Sequence, residues 1–230
     1  MDTIVVFGSN GGIGKAICNQ LKEKQYHVVG SDISKVSEHE NVSEYYCLDL
    51  RANENILKVS QQIMQKNSKI WGLVFSAGVY PVIDFSNYSL EIFSEVLQIN
   101  LTSAFLICKS FSDHFQSGGR IVLITSGATE VGSQDIGYSV SKAGLSGLAK
   151  GMAKSFGNKI LVNVVSPGII ETPMSANMAT ERKNKTIEQT TSKRIGTPHE
   201  VAVSVLFLLN KENTYMSGAT IDVNGGLYFR

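Results

Sequence analysis

Short runs of β-branched and other apolar residues alternate along the chain with longer stretches whose apolar residues recur every three or four positions. The short runs are apolar throughout, which is typical of strands in a parallel sheet that is covered on both faces. The longer stretches have the spacing of amphipathic helices. The pattern predicts strands at residues 3–7, 27–31, 45–48, 72–78, 120–126, 161–168 and 218–226. It predicts helices at residues 11–24, 52–66, 89–115, 138–156 and 198–210.

Steady alternation of strand and helix is typical of right-handed crossovers in a doubly wound α/β sheet. We therefore expect a Rossmann-like fold with about seven parallel strands and helices on both faces. Neither a linker nor a repeat interrupts the pattern, so a single domain is predicted over residues 1–230. Residues 171–194 have the weakest pattern. Because ligands of such folds bind beyond the carboxyl ends of the strands, we expect this segment to be a loop that covers a site.

The charge balance and composition argue against several classes of protein. The chain has 230 residues and a formal net charge of +1, so nucleic acid and anionic membrane surfaces are not expected partners. No apolar run approaches the roughly eighteen residues of a membrane span, and the N-terminus lacks the features of a signal peptide. The cysteines and histidines lack metal-ligand spacing, so we expect neither a metal site nor a disulfide framework. A reducing cytoplasm is the expected location.

The first candidate for chemistry is the turn GSNGGIG after the first strand, with Gly8, Gly12 and Gly14 in GxxxGxG spacing. Glycine permits a tight turn, lets backbone approach a pyrophosphate and allows the next helix to lie close to the strand. The amino end of that helix offers free N–H groups and a positive dipole to phosphates. The position of the turn in the first strand–helix unit favours a dinucleotide site over a glycine-rich turn without a ligand.

The second strand is followed by Asp32, where a carboxylate can accept hydrogen bonds from the ribose hydroxyls of an adenosine. The same charge would repel a 2′-phosphate. No arginine flanks Asp32, although Lys15 and Lys35 are near in sequence. This favours NAD over NADP as the cofactor, with an exposed loop aspartate as the alternative.

The stretch DIGYSVSKAG places Tyr138 and Lys142 at positions i and i+4 of a helix, among small residues. A free tyrosine has a pKa of about 10, and a nearby ammonium lowers it by favouring the phenolate. Such a phenol can donate a proton to a forming alkoxide or remove one from an alcohol. A surface Tyr–Lys pair is the alternative when the motif stands alone.

Three further features favour the catalytic interpretation. Ser126 ends a predicted strand, where its hydroxyl can hydrogen-bond a carbonyl oxygen. Asn100 lies inside a helical pattern in which asparagine is disfavoured without a specific reason. Pro167 and Gly168 form a turn at the end of another strand, where backbone groups could hold a carboxamide. Each has an ordinary structural explanation, but their joint order along the chain is harder to explain in that way.

With these motifs in order, nearly the whole chain resembles the short-chain dehydrogenase/reductase family in its compact form. GSNGGIG is similar to the family's cofactor turn, FSAG to its N-N-A-G and YSVSK to its Y-x-x-x-K, and RIGTPHEVA and SGATIDVNGG are similar to its closing segments. The resemblance implies that Tyr138 is the general acid/base and that Lys142 lowers its pKa and binds the nicotinamide ribose. It implies that Ser126 steadies the substrate oxygen and that Asn100 anchors a water in a proton relay.

The resemblance also implies a set of cofactor-binding residues along the carboxyl ends of the strands. These are Gly8, Ser9, Asn10, Gly12, Ile13, Gly14, Asp32, Asp49, Leu50, Ala77, Gly78, Tyr138, Lys142, Pro167, Gly168, Ile170 and Thr172. Two departures from the family pattern bear on the site. The gap between Ser126 and Tyr138 is short, and Thr125 would restore the usual spacing, although the strand-end pattern favours Ser126. The interval from Asp32 to Asp49 is compressed, which predicts the loss of most of a helix.

The leading interpretation is an NAD-dependent oxidoreductase that interconverts a small secondary alcohol and a ketone by hydride transfer. A rival of the same class is a 3-oxoacyl-thioester reductase, which would normally prefer NADP and would need a basic patch for a carrier protein. The candidates for that patch are Lys183, Lys185, Lys193 and Arg194. A non-catalytic nucleotide sensor or scaffold is the alternative from another class, and the complete tetrad argues against it. The resemblance implies a homodimer or homotetramer, formed by pairing of the helices at 89–115 and 138–156.

Overall fold

The fold is built on one parallel sheet. In the computed structural model, which describes residues 1–176, 178 and 180–229, the strand order is β3-β2-β1-β4-β5-β6-β7 and every neighbouring pair is parallel. The chain winds outwards in both directions from β1, so the topological switch point lies between β1 and β4. The strands are β1 (Thr3–Phe7), β2 (His27–Asp32), β3 (Glu44–Cys47), β4 (Ile70–Phe75), β5 (Phe115–Ile124), β6 (Ile160–Pro167) and β7 (Thr220–Val223).

Helices cover both faces of this sheet, which confirms the expected Rossmann-like α/β fold. Helices α1 and α9 pack together on one face, and α2, α4 and α6 lie on the other. The helices are α1 (Gly12–Glu23), α2 (Asn53–Lys66), α3 (Leu90–Leu97), α4 (Ser103–Phe111), α5 (Ala128–Val131), α6 (Ile136–Phe156), α7 (Pro173–Ala176), α8 (Thr180–Gln189) and α9 (Pro198–Leu209).

Strand β1 shows why the predicted strands are apolar throughout. Successive side chains of a strand point to opposite faces. Val5 and Phe7 belong to the core cluster on one face of the sheet, whereas Ile4 and Val6 belong to the cluster on the other face. All residues of β1 are buried, so neither face of this strand is in contact with water.

The helix predicted at residues 89–115 differs from the observed structure in its middle and at its end. Helix α3 ends at Leu97, and Gln98–Thr102 form a π-helical segment before α4. Phe115 begins β5 rather than ending a helix. π-Helical segments are often found at functional sites, and this one contains Asn100.

Two connections bear on the predicted site. Residues 33–43, all of which the structure describes, join β2 to β3 through bends without a helix, in agreement with the compressed interval in the sequence. Residues 171–194 are not the expected loop, because they contain α7 and α8; residues 177 and 179 lie outside the described residues. Helix α8 has the sequence TERKNKTIEQ, which is almost entirely polar, so hydrophobic periodicity did not predict it.

One helical stretch, Leu90–Phe111, is long and apolar enough to cross a membrane by length and composition alone. It is not a continuous apolar run, because it contains Glu91, Asn100 and Lys109. The stretch contains the π-helical segment and packs against α2 and α6. Only 28 % of its most apolar window is buried, and its exposed large apolar residues are Leu90 and Phe105.

Candidate active site

The glycine-rich turn joins β1 to α1 at the carboxyl edge of the sheet. Gly8 has a φ of +83°, and a Cβ at this position would meet the backbone nitrogen of Ala77 at 2.5 Å. Only glycine therefore allows the turn to lie this close to the residues that follow β4. Gly14 lies against the carbonyl of Gly8, where a Cβ would also clash.

A cavity of about 570 Å³ opens beside this turn, and we call it the first cavity. The predicted cofactor-binding residues that line it are Gly8, Asn10, Gly12, Ile13, Asp32, Asp49, Leu50, Ala77, Gly78 and Thr172. Ser9 and Gly14 do not line it. The Ser9 side chain is buried against Gly30, so it supports the turn from within the core, and Gly14 braces the turn from behind.

The carboxylate of Asp32 is fixed by backbone hydrogen bonds. It accepts them from the N–H of Asn10 at 2.9 Å and from the N–H of Ile33 at 2.7 Å. The Asn10 side chain in turn donates to the hydroxyl of Tyr45 at 3.2 Å and accepts from the N–H of Glu38 at 3.1 Å. These contacts hold the connection 33–43 against the glycine-rich turn and form the wall of the first cavity around Asp32.

The first cavity is acidic. Its charged lining residues are Asp32, Glu38, Asp49, Arg51 and Glu95. Arg51, the one cation among the lining residues that the structure describes, donates to both carboxylate oxygens of Asp49 at 2.6–3.0 Å and thereby lowers the pKa of Asp49. The carboxylates of this wall can accept hydrogen bonds from hydroxyl groups. Sequence reasoning missed Glu38, Arg51 and Glu95, because single charged residues in loops and helices belong to no motif.

A second cavity, of about 690 Å³, continues along the carboxyl edge and shares Ile13, Thr172 and Met174 with the first. The predicted site residues that line it are Ile13, Ser126, Tyr138, Pro167, Gly168, Ile170 and Thr172. None of its lining residues within the described part of the chain has a charged side chain. The two cavities together therefore have an acidic end at Asp32 and an uncharged end at Tyr138.

Tyr138 lies in the first turn of α6, whose start is fixed by the Asp135 carboxylate. Asp135 accepts a hydrogen bond from the N–H of Tyr138 at 2.8 Å, as a helix N-cap does. The phenol is partly buried and forms a hydrogen bond with the side chain of Ser126. The ring of Tyr80 packs on the ring of Tyr138, with a centroid separation of 4.7 Å.

The pKa of Tyr138 is raised above its usual value, contrary to the expectation from the sequence. Burial is the largest cause, the hydrogen bond with Ser126 partly offsets it, and electrostatic interactions with Tyr80 and Asp135 raise the pKa further. The Lys142 ammonium, whose Nζ lies 5.6 Å from the centroid of the Tyr138 ring, does not reverse this balance. The i, i+4 spacing predicted a lysine beside Tyr138, but it did not predict that the phenol is buried. In the structure, burial therefore disfavours the phenolate of Tyr138.

Lys142 is buried behind the two cavities. Its Nζ donates to the carbonyl of Ile124 at 3.0 Å and lies 3.2 Å from the position that a Cβ on Gly78 would take. Burial lowers the pKa of Lys142 to about 8. Lys142 lines neither cavity; its Nζ lies near Gly78, which lines the first, and near the ring of Tyr138, which lines the second.

Asn100 is fully buried and lines neither cavity. Its amide nitrogen donates to the carbonyl of Val79 and to the hydroxyl of Ser141, both at 3.0 Å. Its amide oxygen accepts from the N–H of Val79 at 2.8 Å. These bonds connect the π-helical segment to α6 and to the loop that follows β4. They explain why an asparagine stands in this helical pattern.

Ser126 rather than Thr125 lies beside the phenol. Thr125 also borders the second cavity, but its hydroxyl donates to the carbonyl of Val165 at 3.3 Å, in the neighbouring strand β6. The Ser126 hydroxyl accepts from the N–H of Ala128 at 3.2 Å and forms the hydrogen bond with Tyr138. The strand-end pattern therefore identified the better placed of the two hydroxyls.

Comparison with known proteins agrees with this geometry. A family model described as "Enoyl-(Acyl carrier protein) reductase" matches residues 8–228. The chain is 36 % identical over 240 residues to the 3-oxoacyl-(acyl-carrier-protein) reductase FabG of Buchnera aphidicola subsp. Schizaphis graminum, with 98 % of the chain and 97 % of that protein covered. The protein of the same name from Aquifex aeolicus is also 36 % identical, over 238 residues, with 97 % and 96 % covered.

A solved structure shows the same similarity. The crystal structure of "Short-chain dehydrogenase/reductase SDR:Glucose/ribitol dehydrogenase" from Brucella melitensis superposes with a TM-score of 0.93 at 30 % identity. The alignment covers 100 % of the chain and 97 % of that structure. The chain belongs to the short-chain dehydrogenase/reductase family. It is therefore an oxidoreductase with a nicotinamide dinucleotide cofactor, and the sensor alternative is set aside.

The residues present fit such a cofactor. In this short-chain dehydrogenase/reductase, side chains at Gly8 and Gly12 would close the cradle beside α1, since a Cβ on Gly12 would meet Thr172 at 2.8 Å. The first cavity offers the Asp32 carboxylate at one end, and the second offers Tyr138 at the other. Among residues 1–176, 178 and 180–229, no group of three or more His, Cys, Asp or Glu side chains could hold a metal ion.

Two residues of the site in this family member were given no individual role from the sequence. Asp135 stands at the helix start, three residues before Tyr138, which is the spacing of an N-cap aspartate. That signal was present in the stretch DIGYSVSKAG and would have identified it. Tyr80 has no such signal, because a single tyrosine in the loop after a strand has no pattern that places its ring on another ring.

Proposed function

We propose that the protein transfers a hydride between NAD(H) and an uncharged secondary alcohol or ketone, with Tyr138 as the general acid/base. The observation that carries this proposal is the uncharged second cavity, which has the phenol of Tyr138 in its wall and continues into the acidic first cavity. The bound dinucleotide would supply or accept the hydride. Tyr138 would donate its proton to the carbonyl oxygen as that oxygen gains negative charge.

The other members of the tetrad have supporting roles in this proposal. Ser126 donates a hydrogen bond to the same carbonyl oxygen, which stabilises the developing charge. Lys142 stabilises the phenolate that remains after proton transfer and binds the nicotinamide ribose. Asn100 anchors a water of the proton relay and, through Val79 and Ser141, holds the loop after β4 against α6.

The preference for NAD over NADP is supported by the acidic wall of the first cavity. We expect Asp32→Ala to lower the ratio of kcat/KM with NADH to kcat/KM with NADPH by about tenfold or more, because the variant no longer repels a 2′-phosphate. Glu95→Gln is the matched control, since Glu95 lines the same cavity without the backbone contacts of Asp32. An unchanged ratio in Asp32→Ala, or an equal change in both variants, would contradict the NAD assignment.

A 3-oxoacyl thioester is the second candidate substrate. It is supported by the names of the two relatives, both 3-oxoacyl-(acyl-carrier-protein) reductases, and by the uncharged second cavity, which suits a neutral acyl chain. The predicted basic patch is weaker than the sequence implied. Arg194 forms a salt bridge with Glu200 at 2.6 Å, and Lys193 donates to the carbonyl of Glu188 at 2.6 Å. Lys183 and Lys185 on α8 are the other candidates for contact with a carrier protein.

The proposed function is tested by following nicotinamide absorbance with NADH or NADPH and a panel of ketones, which includes polar sugars, apolar ketones and 3-oxoacyl thioesters. We expect turnover of uncharged substrates, with Tyr138→Phe losing about 10²–10⁴-fold in kcat while it still binds NADH. Turnover by Tyr138→Phe at the wild-type rate would reject the assignment of the acid/base.

We also propose that the protein is cytoplasmic and forms a homodimer or homotetramer. The three cysteines are unpaired, and Cys18 and Cys108 are buried, which suits a reducing compartment. The stretch Leu90–Phe111 leaves Leu90 and Phe105 exposed at 74 % and 46 %, as expected of a surface that another copy of the chain covers.

A further inference from the structure

The Asp135 carboxylate is fully buried and accepts three hydrogen bonds. The donors are the hydroxyl of Tyr88 at 2.7 Å, the N–H of Tyr138 at 2.8 Å and the N–H of Ile83 at 3.3 Å. Tyr88 and Ile83 belong to the loop 79–89 between β4 and α3, whereas Tyr138 belongs to α6. One carboxylate therefore connects a loop to the first turn of the helix that contains the acid/base.

The same loop reaches the second cavity through Tyr80. The Tyr80 ring packs on the Tyr138 ring, and both residues line the second cavity. The loop is also packed tightly on the first turn of α6, because a Cβ at Gly137 would meet the Tyr88 hydroxyl at 2.5 Å. The position of Tyr80 relative to the phenol thus depends on how the loop is tied to Asp135.

We propose that Asp135 is a positioning residue, an inference that rests on the proposed function. Its carboxylate ties the loop 79–89 to α6 and holds the Tyr80 ring on the Tyr138 ring, and its negative charge adds to burial in disfavouring the phenolate. A protonated phenol is the form that donates to a carbonyl, so Asp135 extends the pH range of ketone reduction to higher pH.

The groups around Tyr138 are consistent with this role of Asp135. Asp135 is the N-cap of α6, three residues before Tyr138, and Lys142 follows Tyr138 by four residues on that helix. Ser126 faces the phenol from the end of β5, and Tyr80 faces it from the loop. The side chains lining the second cavity in the described part of the chain add no further charge. Removing the Asp135 charge would therefore remove a negative charge that disfavours the phenolate.

The test compares the wild type with Asp135→Asn and Tyr88→Phe. The Tyr138 phenol is titrated by tyrosinate absorbance in the protein alone, with Tyr138→Phe subtracted to isolate it from the other tyrosines. We expect the midpoint to fall by about 1 pH unit in Asp135→Asn, because a nearby like charge disfavours the phenolate. The apparent pKa of the basic limb in the pH profile for ketone reduction should fall by the same amount. Tyr88→Phe keeps the charge but loosens the loop, so KM should rise several-fold without a fall in the midpoint.

Thr197→Ala is the matched control, because Thr197 caps α9 away from the site. Thr197→Ala should lower the melting temperature without changing the titration midpoint of Tyr138 or the pH profile of ketone reduction. A purely structural Asp135 would behave like Thr197→Ala, and an unmoved titration midpoint in Asp135→Asn would overturn the proposal. If Asp135→Asn does not fold, Asp135→Ser keeps a capping hydroxyl without the charge, and the same fall is expected. The absorbance titration needs no turnover, so it decides this proposal even where a failure of ketone reduction rejects the proposed function.

Discussion

Single residues of the site depend on burial as much as on spacing. The i, i+4 spacing of Tyr138 and Lys142 predicted that the two side chains are neighbours, and the distance of 5.6 Å from Nζ to the ring centroid agrees. The direction of the pKa of Tyr138 was predicted wrongly, because a sequence motif contains no information on how much water the phenol loses. Burial raises the pKa of Tyr138 and lowers that of Lys142, so both groups are shifted toward their neutral forms.

The choice between two adjacent hydroxyls gives a prediction at this scale. Ser126→Ala should lower kcat by about 10²-fold, because a donor to the charge that develops on the carbonyl oxygen is lost. Thr125→Val should keep kcat and lower the free energy of unfolding by about 1 kcal/mol, the usual net value of one hydrogen bond. The carbonyl of Val165 keeps the N–H of Thr125 as a donor at 2.9 Å, so that loss stays small. Steady-state kinetics and urea unfolding measure the two effects, and a loss of kcat confined to Thr125→Val would contradict the assignment.

The helices and strands were predicted well where apolar residues repeat and poorly where they do not. The period of apolar residues identified α1, α2, α6 and α9 within a few residues, because their buried faces pack on the sheet. It did not identify α8, whose position beside the second cavity is marked by the lining residues Thr186 and Gln189. Nor did it show the π-helical segment Gln98–Thr102, because its one signal was the polar residue Asn100.

The hydrogen bonds of Asn100 give a prediction at the scale of these elements. Asn100→Ala should lower the free energy of unfolding by about 2–4 kcal/mol, because the N–H and the carbonyl of Val79 lose their buried partner. For a chain of this length the melting temperature should fall by about 2–4 °C for each kcal/mol. The matched control is Asn19→Ala, an exposed helical asparagine, which should change stability by at most about 0.5 kcal/mol. Equal melting temperatures for the two variants would contradict the bracing role of Asn100.

At the scale of the whole molecule, strand–helix alternation was enough to predict a single parallel sheet covered on both faces. It was also enough to place the predicted site residues at one edge, because the carboxyl ends of parallel strands meet there. The assembly of several copies has no such signal in one chain. Our proposal of an assembly depends instead on surface exposure, since Leu90 and Phe105 are exposed apolar residues of the stretch Leu90–Phe111.

Assembly gives a prediction of its own. The wild type should sediment as a dimer or tetramer at micromolar concentration, and Phe105→Glu should shift it toward a smaller species, because a charge would be buried at the interface. Val36→Glu is the matched control, as Val36 is an exposed apolar residue on the connection 33–43 rather than on the helical stretch. A monomeric wild type, or an equal shift in both variants, would contradict an interface on Leu90–Phe111.

The central claim is that the two cavities form one site, with the phenol of Tyr138 facing the carbon that exchanges the hydride. A crystal structure of the protein with bound NADH tests it most directly. We predict that the adenosine ribose lies at Asp32 in the first cavity and that the nicotinamide ring lies in the second, with its reactive edge toward the Tyr138 hydroxyl. A dinucleotide bound in the opposite direction, or a phenol pointing away from that edge, would contradict the claim.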